Sequence, residues 1–282
     1  MCSPVHVIGA SGRSGFALCR ALLASGIRVV PVVRDAEKWR RGGIGLEARV
    51  ADLADAPALR RALADASRLA CCAHARHTAA ILAAAPGSCR FVLLGSTRRF
   101  TRWPDAHGNG VLAGETAFLA SGRNGVILHP TMIYGAEGEN NVQRLAALLR
   151  RLPLVPLPGG GTTLVQPIHQ DDVTRSVLAA LSIPWDGPHT IVIAGPTPVS
   201  YAAFVRAVAA AAGLPPPRLV PVPAALLGAL SPLTLLPGLP RVRAGEIRRL
   251  LEDRNFSVSD MIAKLGVHPI SLAEGLALTF RR

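Results

Sequence analysis

The sequence predicts an α/β fold: a doubly wound parallel sheet with a smaller C-terminal lobe. Three observations carry that expectation. Short apolar runs alternate with helix-period segments through the first half of the chain. Three glycines spaced by three follow the first apolar run and open the first helical segment. The regular alternation stops after residue 135.

Residues 4–9, PVHVIG, read as a short buried strand, and Phe16, Leu18, Cys19, Leu22 and Leu23 mark a helix over 14–25. GIRVVPVVR, 26–34, is a second strand and EARVADL, 47–53, a third. A helix with Leu59 and Leu63 on its apolar face follows. SRLACCAH, 67–74, is a fourth strand. HTAAILAAAP, 77–86, is a helix closed by Pro86 and Gly87. RFVLLGST, 90–97, and NGVILHPTMIYG, 124–135, are the fifth and sixth strands. Beyond them, 140–151, 171–182, 200–213 and 244–252 read as helices and 189–194 as strand-like.

Strands and helices alternating at this pitch make βαβ units, and right-handed crossovers make of them a Rossmann sheet. The expected division is a dinucleotide-binding core at 1–135 and a C-terminal substrate lobe with interleaved core elements at 136–282. In such a sheet the ligand lies across the carboxyl ends of the strands. The segments to inspect are therefore 9–15, 34–35, 52–53, 73–76, 95–98 and 129–134.

Composition narrows the function. The net charge is +13, and lysine occurs only at Lys38 and Lys264, so arginine carries the charge. This balance suits a small, anionic ligand. Nucleic acid is not expected as a partner, because no helix-turn-helix, zinc finger or aromatic-basic platform is visible. The five cysteines, Cys2, Cys19, Cys71, Cys72 and Cys89, have no metal-ligand spacing and read as buried thiols in a reducing compartment. No metal is expected. The chain enters its first strand within a few residues of Met1, which leaves no room for a signal peptide, so a cytoplasmic protein is expected. The uncharged stretch Leu219 to Pro240 is broken by five prolines, which argues against a spanning helix. Docking on a membrane surface or in a larger complex is its alternative to internal packing.

In GASGRSG, Gly9 suits the tight turn, Gly12 the approach of a pyrophosphate and Gly15 close helix–strand packing. The N–H groups of the helix start face the anion, with Ser11, Arg13 and Ser14 in the same turn. The second strand ends on Arg34, where an acidic residue would bind a ribose 2′-hydroxyl. An arginine fork pairs instead with a 2′-phosphate, which favours NADP(H) over NAD(H). Asp35 falls one place later and turns outward. Asp52 and Leu53 are placed beside the adenine.

These motifs, with LLGST at 93–97, GETAFLASGRNGVILHPTMIYG at 114–135 and PIHQDDV at 167–173, resemble an atypical member of the short-chain dehydrogenase/reductase superfamily. The tail RRLLEDRNFSVSDMIAKLGVHPISLAEGL, 248–276, resembles the closing segment of its extended, epimerase-like branch. NADPH-holding accessory subunits of respiratory complex I and nucleoside-diphosphate-sugar epimerases are the nearest likenesses. The resemblance implies a nicotinamide end near Ser96, Thr97 and the segment Pro130, Thr131 and Met132, with Ala73 and His74 lining the cofactor groove.

The superfamily's Tyr-x-x-x-Lys pair has no match. The two tyrosines are Tyr134 and Tyr201, neither with a lysine at that spacing, and alignment on GETAF puts His107 at the tyrosine position and Val111 at the lysine position. Thr97 matches the family's catalytic Ser/Thr. Thr97 and His107, the latter in the stretch RRFTRWPDAHGNG read as a loop, are the candidates for proton handling. The expected function is an NADP(H)-dependent oxidoreductase or epimerase-like enzyme on a small or medium substrate in the cleft between the lobes. The alternative is a protein that holds NADPH without turning it over, for structural or redox-sensing purposes.

Overall fold

The computed structural model describes residues 3–136, 141–152, 154–223 and 251–281. The expected helix at 244–252 lies outside these residues except for its last two, which form a turn and a bend; most of the proline-rich stretch lies outside them as well.

The core is a seven-stranded sheet. Its strands are β1 (Val5–Ile8), β2 (Val29–Val33), β3 (Arg49–Val50), β4 (Arg68–Cys71), β5 (Arg90–Leu94), β6 (Gly125–Pro130) and β11 (Pro188–Ile193), and every pairing is parallel. The order across the sheet is β3-β2-β1-β4-β5-β6-β11. The order reverses between β1 and β4, which is where a doubly wound sheet opens its ligand crevice. Helices cover both faces, so the strands are mainly apolar rather than alternating; all four residues of β1 are buried, His6 among them.

One face packs α1 (Arg13–Ala24), α7 (Gln170–Ser182) and α9 (Ser259–Leu265), through Leu18, Leu22, Val173, Val177, Met261 and Leu265. The other packs α3 (Ala56–Leu63), α4 (Thr78–Ala84) and α5 (Ala106–Ala120), through Leu59, Leu63, Ile81, Val111 and Phe118. The short α2 (Ala36–Arg41) lies between β2 and β3.

Several strands are shorter than their apolar runs suggest. The third, expected over 47–53, has ladder geometry at two residues alone, and the fourth stops at Cys71 before a 3-10 turn at Ala75–His77. The sixth divides into β6 and a separate β7 (Ile133–Tyr134), which pairs with β10 (Ile168–His169). The strand-like segment near 189–194 joins the central sheet beside β6, so the C-terminal half of the chain completes the core.

The remaining lobe contains α6 (Asn141–Arg151), α8 (Tyr201–Ala211) and α10 (Leu272–Phe280), packed through Tyr134, Val142, Ala146, Phe204, Val208 and Leu276. Its small ladders are β8 (Leu154–Pro158) with β13 (Arg218–Val222) and β9 (Leu164–Val165) with β12 (Val199–Ser200). Asp172, fully buried, ties this lobe to α7. Its Oδ2 accepts the Ile270 N–H at 3.0 Å and its Oδ1 pairs with Arg175, which also donates to the His268 carbonyl. Gln166 clamps the chain at Phe256, accepting its N–H at 2.7 Å and donating to its carbonyl at 3.0 Å. Among the described residues no helix is long and apolar enough to cross a membrane, and no group of His, Cys, Asp or Glu could hold a metal ion.

Candidate functional site

The glycine turn opens the site. Gly9 has φ +75°, a left-handed conformation that glycine adopts without strain. A Cβ on Gly15 would lie 2.8 Å from the Gly9 carbonyl carbon and 2.9 Å from Ala10 Cα, so this residue lets α1 pack directly onto the turn. Most neighbouring helices begin on a side-chain cap: Asp35 for α2, Asp55 for α3, Asp105 for α5 and Ser200 for α8. Helix α1 begins on Gly12, which has no side chain to offer. The N–H groups of its first turn lack intrahelical partners and are left for a ligand.

From this turn a groove of about 280 Å³ runs across the strand ends, lined by Gly9, Ser11, Arg34, Lys38, Asp52, Leu53, Ala73 and His74 among others. Arg34 and Lys38 are both exposed on its rim. Lys38 escaped the sequence reading, although it stands one helical turn after Arg34. Asp35 is occupied as the cap of α2, accepting the Lys38 N–H at 2.9 Å, and that hydrogen bond holds its carboxyl below the ordinary value. Asp52 accepts the Ala54 N–H at 2.9 Å. Arg13 lines a second depression, between α1 and α7, which shares Ser11 and Lys38 with this groove. The Ser14 hydroxyl donates to Gln170 Oε1 at 3.1 Å, so in this structure it joins α1 to α7 rather than pointing at a phosphate.

At the other end of the strand row, Thr97 is buried and its hydroxyl donates to the Pro130 carbonyl at 3.3 Å. Its proton is thus directed into the protein. The Ser96 side chain accepts the Arg98 N–H at 3.2 Å. Thr131 is buried, and its hydroxyl has no hydrogen-bond partner among the described residues, while Met132 beside it is exposed. A buried orphan hydroxyl at this position, together with the glycine cradle and the rim cations, fits the carboxamide, pyrophosphate and ribose-phosphate groups of a nicotinamide dinucleotide.

His107 requires a correction. The stretch that contains it is irregular only over 101–105, and from Ala106 onward it is helix. Asp105 accepts the Gly108 N–H at 2.7 Å, pairs with Arg98 and starts helix α5, so His107 lies in the first helical turn. Asp at an N-cap position is the local sequence signal for this helix start. Val111, one turn later, is buried. His107 meets His74, which lines the groove, Nδ1 to Nε2 at 3.1 Å.

Beneath this point lies a buried charged cluster. Glu115, on α5, lies 3.3 Å from His129 Nε2, pairs with Arg99 and accepts from the Thr190 hydroxyl at 3.2 Å. Burial raises the Glu115 carboxyl, but His129, Arg99 and Thr190 outweigh it and hold the group low. His129 Nδ1 accepts the Ser96 N–H at 3.1 Å, so this histidine orders the end of β5. His169 caps α7, with Nδ1 accepting the Asp171 N–H at 3.3 Å.

Residues 9–116 match the NAD(P)H-binding family model. No curated protein matches the chain. The family match runs from the glycine turn after β1 through β5 into α5, and the fold is that of a Rossmann protein. Solved structures share its fold over nearly the whole length. The NADPH-dependent quinone oxidoreductase QOR2 from Escherichia coli, complexed with NADPH, superposes at a TM-score of 0.76 with 18% identity, covering 98% of this chain and 100% of the other. The Thermus thermophilus UDP-glucose 4-epimerase in complex with NAD gives 0.74 at 20% identity, over 99% and 98% of the two chains. A short-chain dehydrogenase/reductase superfamily protein from Agrobacterium tumefaciens with bound NAD gives 0.72 at 18%, over 99% and 97%. Helix α5 carries His107 and Val111 four residues apart.

Proposed function

We propose that the chain is an NADP(H)-dependent reductase acting on a small or medium carbonyl-type acceptor in the cleft beside His107. One observation carries this reading: a single groove leads from Arg34 and Lys38, past the glycine turn, to His74, whose ring touches His107. Arg34 and Lys38 take the 2′-phosphate as two cations on one rim, an interaction that NADH cannot make. Gly9, Gly12 and the start of α1 receive the pyrophosphate, and Thr131 receives the carboxamide. A nicotinamide bound in this way supplies the hydride. His107 faces the acceptor oxygen and stabilises the charge that develops there. Thr97 serves this site by bracing Pro130.

The deciding experiment is to purify the protein, identify any bound nucleotide by absorbance and mass, and offer quinones, flavins, aldehydes and ketones. Oxidation of bound NADPH by one acceptor class, lost in His107→Ala, is the expected outcome. Tightly held NADPH that no acceptor discharges would overturn the reductase reading. That result would favour the second one, a protein that holds NADPH without turnover. The buried apolar Val111 at the position of the family's lysine speaks for this alternative.

A further inference from the structure

The chain is poor in aromatic residues, with seven Phe, three Trp and two Tyr in 282. Three of them, Phe100, Trp103 and Phe256, line one cleft of about 400 Å³. All the aromatic residues of the chain lie among the described residues, and Phe100 and Trp103, 44% and 50% exposed, are the two exposed ones. Leu251, which lines the same cleft, is 42% exposed. Single exposed apolar side chains are ordinary surface, but large ones gathered around one cavity mark a place where a ligand buries them.

The cleft has two walls held at a fixed distance. One is the segment after β5, which carries Phe100 and Trp103. The other is the C-terminal segment 251–256. Buried Glu252 joins them: Oε1 accepts the Arg102 N–H at 2.6 Å, Oε2 accepts the Thr101 hydroxyl at 2.8 Å, and Arg254 pairs with the same carboxylate. The second wall is anchored from the C-terminal lobe. Asp253 accepts the Leu164 N–H at 2.8 Å, and Gln166 accepts the Phe256 N–H. Phe256 lies against Phe100 with ring centroids 5.7 Å apart and planes at 45°, and Arg99 stands 4.4 Å over the Phe100 ring. The aromatic surfaces are thus set before a ligand arrives, which lowers the cost of binding. Both carboxylates of the cleft are engaged by protein donors, so the surface it offers is chiefly aromatic and apolar. The cleft adjoins the candidate nicotinamide end, because Arg254 lines it and donates to the Thr97 carbonyl at 3.3 Å.

We propose that this cleft holds the ring of the acceptor and that the acceptor is a flat aromatic carbonyl compound. This rests on the reductase reading above and narrows its substrate class. The ring stacks against Phe100 and Trp103, with the carbonyl group toward the Thr97 turn. Aromatic pairs gain stability beyond the area they bury, through the complementary charge of ring face and ring edge. A saturated ring of the same carbon number buries similar area without that gain.

The test uses the full chain labelled with 15N at tryptophan. Of its three indole N–H signals, Trp103→Phe identifies the one from the cleft, since Trp39 and Trp185 are buried elsewhere in the core. The probes are 2-acetonaphthone and its ring-saturated counterpart. The Trp103 signal should move saturably with 2-acetonaphthone, while Trp39 and Trp185 stay in place. The aromatic ketone should bind about 3- to 10-fold more tightly than the saturated one. Phe100→Leu, which keeps an apolar side chain without its π face, should remove most of that preference. Should this variant fail to fold, Trp103→Leu, read by calorimetry, makes the same comparison.

Equal affinity for the two ketones would overturn the proposal, and so would a Trp103 signal that neither ketone moves. A Trp103 signal that shifts with protein concentration alone, with a dimer in sedimentation, would assign the cleft to a second copy of the chain instead. The two readings fail separately. Selective binding of 2-acetonaphthone with no acceptor able to oxidise NADPH would leave the aromatic site standing and remove the reductase. Reduction of aliphatic carbonyl compounds at full rate in Phe100→Leu, with no aromatic preference in the wild type, would do the reverse.

Discussion

Gly95 and His129 share a space that admits one side chain: a Cβ on Gly95 would lie 2.6 Å from His129 Cε1. The ring fills the pocket beneath the end of β5, where it accepts the Ser96 N–H, and its other nitrogen faces Glu115. The backbone that presents the candidate nicotinamide site is thus held from below by a buried acid and a buried base. Gly95→Ala should push this ring aside and destabilise the fold by about 1–3 kcal/mol, the usual cost of overpacking. Urea unfolding measures it, and an unchanged midpoint would show that the ring gives way freely.

Glu115→Gln should cost more, about 3 kcal/mol, because it leaves Arg99 partly buried without its carboxylate. Acid supplies a second measurement. The folded carboxyl sits below its ordinary value, so its contribution is full above about pH 4.3, the unfolded value, and is lost as pH falls through the lower folded value. Wild-type stability should therefore decline on acidification with a slope that the Gln variant lacks.

His74 titrates with the opposite chemistry. Folding disfavours its proton, with the folded value near 4 against about 6.5 for an ordinary histidine. The unfolded chain binds more protons between those values, so this residue's contribution is full above about pH 6.5 and is lost as pH falls toward 4. His74→Asn should flatten the stability profile in that window, read by thermal unfolding at a series of pH values.

Gly15→Ala introduces a carbon 2.8 Å from the Gly9 carbonyl carbon and 2.9 Å from Ala10 Cα, all of it backbone that cannot swing away. Helix α1 must then lift off the turn. Nucleotide affinity should fall at least tenfold by calorimetry, for NADPH and NADH alike, since the pyrophosphate cradle is common to both.

Arg34→Asp should separate the two cofactors. Losing a charge-assisted contact to the 2′-phosphate weakens NADPH by about 10- to 100-fold, while NADH, which lacks that phosphate, changes little. Lys38→Ala should act in the same direction with a smaller effect. Equal weakening of both nucleotides by Arg34→Asp would refute the assignment.

The parallel sheet, the glycine turn and Arg34 after the second strand are already written in the chain. These are local properties: apolar runs of strand length, the left-handed backbone of Gly9 and the spacing that brings Gly15 onto the turn. The start of α5 is also legible, in Asp105 as its cap. The remaining contacts come from packing between distant elements. It set Lys38 beside Arg34 on one rim, turned Thr97 inward to Pro130 and engaged Ser14 with Gln170. It also joined His74 to His107 and Glu115 to His129. The physical reason is the same for each contact between distant residues. Strand and helix periodicity record which side of an element is buried, but not which polar group on another element will meet it. That choice is made when the carboxyl ends of β1, β4, β5 and β6 come together and close-packed glycines such as Gly95 and Gly110 let side chains from different crossovers touch.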